Sequence, residues 1–113
     1  MIFGTGIDVV DIERFAQSLE RTATLKERLF KGSELEKPIH ALAARFAAKE
    51  ALAKAMDAKE IFHWQDVEVV NSKSGKPSFT LTGDTAKYLL GKKIHLSLSH
   101  EVGIASAMVV IEE

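Results

Sequence analysis

Hydrophobic and polar positions follow several different periods along the chain, and each period selects an element. Residues 2–7 interleave β-branched and aromatic side chains with Gly4 and Gly6, a strand pattern in which the glycines call for close backbone approach, and Asp8 is expected to end it. The period then lengthens: Ile12, Phe15, Ala16 and Leu19 fall at i, i+3, i+4 and i+7, which predicts a helix with Asp11 as N-cap and Arg14, Gln17 and Arg21 on its other face. Residues 22–37 scatter Leu25, Leu29, Phe30 and Leu35 among charges and read as short helical turns broken near Gly32. Residues 38–56 are alanine-rich and predict a long helix with Pro38 in its first turn.

Strands are expected at residues 67–70 and 79–81, separated by a turn over residues 71–77. Asp84 is expected to cap a short helix running to Leu90, with Gly91 as its stop. Ile94, Leu96 and Leu98 then alternate with His95, Ser97 and Ser99, whereas residues 104–111 are apolar on both faces. Residues 100–103 join these last two strands as an antiparallel hairpin. Order and spacing predict one α+β domain spanning residues 1–113, a mostly antiparallel sheet packed against the long helix, without repeat or linker.

Composition adds constraints to that outline. With 113 residues, 46% of them apolar, the chain can bury one core with little surplus stability, so oligomerisation would help it. Fifteen basic against sixteen acidic residues argue against a general polyanion-binding face, so no nucleic-acid partner is expected and any anion site is local. The absence of cysteine excludes disulfides, a thiol nucleophile and a cysteine-type zinc site. The opening residues lack a basic leader, and nothing approaches the ~20 apolar residues that span a bilayer, so a soluble cytoplasmic protein without membrane partners is expected.

Against this background a few polar residues stand out. Asp8 at a strand end can reach a ligand or cap a helix, and position alone favours neither. Glu50 is a single acid among Ala47, Ala48, Ala51 and Ala53, costly if buried without a partner or metal; the local alternative is a surface pair with Lys54 at i+4, and the local pattern favours it. Arg45 and Lys49 share one helix face while Glu50 and Lys54 lie about 100° round, so a phosphorylated ligand can meet both cations and a metal together. Magnesium takes such hard oxygens, commonly one or two carboxylates with water and substrate phosphates. Gly75-Lys76-Pro77 reads alone as a hairpin turn. Ser99 and His100 offer a hydroxyl and an imidazole to an anion, but no acid can be assigned to complete a nucleophilic triad. His40, His63 and His95 lack metal-site spacing and read as surface or structural, with Trp64 and the phenylalanines in the core.

Taken together and in order, Gly6-Ile7-Asp8 with Arg14, Arg45-Phe46-Ala47-Ala48-Lys49-Glu50-Ala51 with Lys54, Gly75-Lys76-Pro77, and Ser97-Leu98-Ser99-His100 resemble the holo-acyl-carrier-protein synthase family, the small trimeric 4′-phosphopantetheinyl transferases. The resemblance covers essentially the whole chain and is most specific at residues 46–51. It implies the phosphopantetheinyl transferase fold and a magnesium-dependent transfer of the phosphopantetheine arm of coenzyme A to a serine of an acyl carrier protein, free-standing or a carrier domain of a fatty acid synthase. Adenosine 3′,5′-bisphosphate would be released, and the activity would serve fatty acid biosynthesis. By the same resemblance Asp8 and Glu50 would hold the metal, and Lys54 and Lys49 would serve the phosphates. Arg45 and His100 would contact the nucleotide, and Gly75, Lys76 and Pro77 would line the adenine pocket. Glu50 or a metal-bound water would take the serine proton. Arg14 and Arg21 would meet the carrier protein, and coenzyme A would bind between subunits of a homotrimer.

Overall fold

Two glycines on one face of the first strand set the layout of the molecule. In the computed structural model, which describes residues 1–113, β1 (Ile2–Asp11) passes against α3 (Ile39–Met56). A Cβ built on Gly4 would lie 1.9 Å from the carbonyl oxygen of Ala55, and one on Gly6 would lie 1.9 Å from that of Ala51. Only hydrogen fits at either place. The helix is covered around most of its circumference, burying Leu42, Ala43, Ala47, Ala48, Ala51, Leu52, Ala55 and Met56. It therefore lacks the single apolar stripe of a surface helix and occupies the centre of the domain.

The principal sheet is antiparallel in the order β1–β5–β4, with β4 (Lys93–Glu101) and β5 (Ile104–Glu112) forming the expected hairpin. Its register sets Gly6 beside Val109 and Leu96, Asp8 beside Ala107 and Leu98, and Val10 beside Ala105 and His100, all on the face toward α3. A second, two-stranded sheet pairs β2 (Val67–Asn71) with β3 (Pro77–Leu81). The remaining elements are α1 (Ile12–Arg21), α2 (Leu25–Leu29), a 3₁₀ turn at Gly32–Glu36 and α4 (Gly83–Tyr88). Aromatic packing joins the helices: Phe15 lies 4.9 Å from Phe46 between ring centroids, and Phe46 stacks on Trp64 at 5.4 Å.

The α+β arrangement agrees with the sequence, and the departures have local causes. Asp8 does not end β1, because the ladder to β5 continues from Asp8↔Ala107 to Asp11↔Ile104. Asp11 then caps α1 as expected, accepting a hydrogen bond from the Arg14 amide at 3.0 Å. The hairpin loop shrinks to Val102 and Gly103, both at positive φ (36° and 79°), the primed turn that matches strand twist. Asp84 sits inside the first turn of α4, behind Thr82 at the N-cap. β5 is central but covered on one face only: Ala105, Ala107, Val109 and Ile111 are buried, whereas Ile104 and Met108, with Ile7 and Val9 of β1, are exposed.

Because the obstacle at Gly6 is backbone rather than a movable side chain, Gly6→Ala must push α3 off the sheet. We expect it to destabilise by about 2–3 kcal/mol or more, a Tm loss of roughly 10 °C or more by calorimetry. An unchanged Tm would contradict the glycine contact.

Candidate functional site

The glycine contact also dictates where two acids meet. Asp8 follows Gly6 on the same face of β1, and α3 runs so that Ala55 covers Gly4 and Ala51 covers Gly6. The preceding turn of α3 then falls beside Asp8 and presents Glu50. Both carboxylates line a cleft of about 510 Å³ whose other walls include Val10, Arg14, Phe15, Leu25, Leu29 and Phe46. Burial, and secondarily the charge of Asp8, raises the pKa of Glu50, with Lys54 and Lys59 partly offsetting this. Lys54 does not pair with Glu50 as the local reading had it. Its Nζ instead donates to Asp8 Oδ1 at 3.1 Å and to the Ile7 carbonyl at 2.8 Å.

No three His, Cys, Asp or Glu side chains gather into a metal cluster. Two carboxylates without nitrogen or sulfur donors are nonetheless a suitable set for a hard divalent cation that completes its shell with water and ligand oxygens. The unpaired state of Glu50 beside Asp8 fits that use, since a cation would remove the repulsion that burial intensifies.

On another side of α3, His40, Arg45, Asn71, Gly75, Pro77, Leu98 and His100 line a second cleft of about 320 Å³. Arg45 is 6% exposed. It donates through Nη2 to Asn71 Oδ1 at 2.5 Å and through Nη1 to the Ala41 carbonyl at 3.4 Å, while its Nε is buried with no partner. Burial lowers its pKa, with Glu34 opposing, yet a guanidinium keeps its charge. The positive charge of the guanidinium, not the buried Nε itself, is what this cleft offers to an anion. Asn71 Nδ2 donates to the Gly75 carbonyl at 3.1 Å and so ties the β2–β3 loop to the same site. His40, read from the sequence as surface or structural, belongs to this cleft, with its ring 5.7 Å from that of His100. No spacing in the sequence signals that pairing.

The expected set divides accordingly. Asp8, Glu50 and Arg14 share the first cleft; Arg45, Gly75, Pro77 and His100 share the second; Lys54 borders a groove with Gly6, Ile7 and Met108. Lys76 is exposed and lines neither cleft, and Arg21 lies outside them on α1 with Nη2 3.4 Å from Ser18 Oγ. Lys49 must be corrected. It has no exposed surface, and its Nζ is bound to Glu34 Oε1 and the Leu29 carbonyl, both at 2.7 Å, so no phosphate can reach it. Nor do Arg45 and Glu50 meet in one cleft within the chain, since five residues place them about 140° apart around the helix.

Comparison with known proteins identifies the family. The 4′-phosphopantetheinyl transferase superfamily matches residues 4–105. The chain belongs to that superfamily. It is 48% identical to the holo-[acyl-carrier-protein] synthase of Leifsonia xyli subsp. xyli over 99% of this chain and 98% of that protein. Among solved structures, the acyl carrier protein synthase of Mycobacterium tuberculosis superposes with a TM-score of 0.82 at 36% identity, covering 99% of this chain and 98% of that one. The holo-[acyl-carrier-protein] synthase of Helicobacter pylori, solved in complex with coenzyme A, gives 0.85 at 29% identity, covering 96% and 99%.

The raised pKa of Glu50 carries a stability signature. Its ionised form is disfavoured in the folded state, so metal-free stability falls as pH rises from the ordinary glutamate range through the raised value. Metal-free Glu50→Gln is therefore expected to melt above wild type at pH 7, with the gap closing below about pH 4. Calorimetry across that range checks it, and a lower Tm at pH 7 would show instead that Glu50 is favourably paired.

Proposed function

We propose that this chain transfers the 4′-phosphopantetheine group of coenzyme A to a serine of an apo-acyl carrier protein, giving the holo-carrier and adenosine 3′,5′-bisphosphate, with magnesium as cofactor. The observation that carries the reading is the convergence of Asp8 and Glu50 beside Lys54, in a chain whose relatives are named holo-[acyl-carrier-protein] synthase. In the reaction the serine oxygen attacks the phosphorus that bears the pantetheine arm. The bond from that phosphorus to the bridging oxygen breaks, and the nucleotide leaves with that oxygen. Asp8 and Glu50 would hold the magnesium, which when bound neutralises charge on the diphosphate. Lys54, already 3.1 Å from Asp8, would serve the same phosphate oxygens. Glu50, or a water held by the magnesium, would take the serine proton. Phe15, Leu29 and Phe46 give the cleft an apolar wall.

Arg45 and His100 would hold the nucleotide phosphates, with Gly75 and Pro77 against the adenine. The separation of the two clefts around α3 supports a homotrimer in which one subunit's Arg45 cleft completes its neighbour's Asp8–Glu50 cleft. The exposed apolar row of Ile7, Val9, Ile104 and Met108 supports a subunit contact. Arg14, at the mouth of the first cleft, and Arg21, one face along α1, would meet the acidic helix of the carrier protein. No helix is long and apolar enough to cross a membrane, and we place the reaction in the cytoplasm, in fatty acid biosynthesis.

Mass spectrometry of an apo-carrier protein incubated with coenzyme A and magnesium tests the reading. Wild type should add one phosphopantetheine mass to a free-standing carrier or to a synthase carrier domain, and Glu50→Gln should add none while remaining folded. No mass shift on either kind of carrier would overturn the proposal. Arg14→Glu is expected to raise the KM for carrier protein about tenfold and leave that for coenzyme A nearly unchanged. Equal changes in both constants would argue against the docking role.

A further inference from the structure

α3 approaches β1 most closely through small groups, Gly4 against Ala55 and Gly6 against Ala51, and one long side chain, Lys54, spans the two by donating to the Ile7 carbonyl and to Asp8. The glycine–alanine contact permits close approach but interdigitates little, and the half-exposed, flexible Lys54 chain is only a loose restraint on rolling of the helix about its axis. A roll of about 20° at the 5–6 Å radius of helical side chains moves a carboxylate by roughly 2 Å. That would part Glu50 from Asp8 as joint holders of one ion, so a rigid restraint on the other side of the helix bears directly on the site.

Lys49, the neighbour of Glu50 and about 100° round from it, reaches into that side. Its Nζ donates to Glu34 Oε1 and to the Leu29 carbonyl, each at 2.7 Å, and lies 5.2 Å from the centre of the Phe30 ring. Glu34 in turn accepts from the Lys31 amide at 3.0 Å and, in β2, from the Val69 amide at 2.8 Å. Neither side chain has any exposed surface. One ion pair thus joins α3 to the segment after α2, to the 3₁₀ turn and to the second sheet.

We propose that the buried Lys49–Glu34 pair is the positioning element for Glu50: it fixes the roll of α3 so that the adjacent carboxylate faces Asp8 and the two hold one magnesium ion. The proposal rests on the reading of Asp8 and Glu50 as the magnesium-holding pair. A purely stabilising pair predicts something different, because a buried ion pair can often be replaced by neutral groups without loss of stability. In the double variant Glu34→Gln/Lys49→Met both charges are gone, the amide oxygen introduced at position 34 still accepts from Val69 at the loss of the Lys31 amide bond, and the aliphatic volume at position 49 is kept.

Calorimetric titration of magnesium into the protein saturated with coenzyme A reads the outcome, with Glu50→Gln as the reference for a broken site. The double variant is expected to keep its Tm within about 5 °C of wild type. Its magnesium affinity should fall about tenfold or more, as when the groups that orient a metal ligand are removed, and its affinity for coenzyme A without metal should stay within about twofold. A folded double variant with wild-type magnesium affinity overturns the proposal while leaving the Asp8–Glu50 reading intact. Should wild type itself bind magnesium no better than Glu50→Gln, that reading and the proposal fail together. If the double variant does not fold, Lys49→Arg, which keeps the charge but forces a larger head group into the same space, must also weaken magnesium binding, and unchanged binding there overturns the proposal equally.

Discussion

The close approach of α3 to β1 is the constraint on which the rest of the structure depends. Two glycines on one face of a strand and alanines on the facing helix bring the backbones so near that a Cβ has no room. Burying the helix there forms the core, with Ala107, Val109 and Ile111 of β5 completing the floor. It also converts sequence spacing into site geometry. Asp8 is two residues beyond Gly6, Glu50 is one residue before Ala51, and so the acids converge. Fold and chemistry share the same contact, which is why a substitution at Gly6 would disturb both.

Polar groups in this core fall into two kinds. Lys49 and Glu34 are wholly buried and mutually satisfied, with backbone partners taking up further hydrogen-bonding capacity. Glu50 and Arg45 are different: one is a carboxylate held against burial and a like charge, the other a guanidinium with an orphaned Nε. Such groups weaken the fold, and each borders one of the two clefts.

Much of this was legible along the chain. The change of period from residues 2–7 to residues 12–19, the Asp11 cap, the alanine-rich helix and the meaning of Gly4 and Gly6 rest on local rules, and the structure agrees with them. What failed was set by distant partners. β1 runs on past Asp8 because β5 continues to pair with it, a partner almost a hundred residues away in the chain. The helical wheel put Lys49 on the face of Arg45, away from Glu50, and that was sound. Whether that face meets solvent phosphate or Glu34 depends on how residues 29–34 and Val69 close over it, which no periodicity records. Lys54 likewise had a local partner in Glu50 and took a nonlocal one in Asp8. The resemblance to a known family singled out the acids, and the packing of α3 on β1 explains why they meet.

The central claim is that one chain supplies the metal-holding acids while a neighbouring subunit supplies the nucleotide cleft. A crystal structure with coenzyme A and magnesium bound tests it most directly. The account predicts one ion between Asp8 and Glu50, diphosphate oxygens in its shell, Lys54 drawn from Asp8 toward those oxygens, and the nucleotide against Arg45 and His100 of an adjacent subunit. An ion held elsewhere, or a coenzyme A molecule bound wholly within one chain, would contradict it.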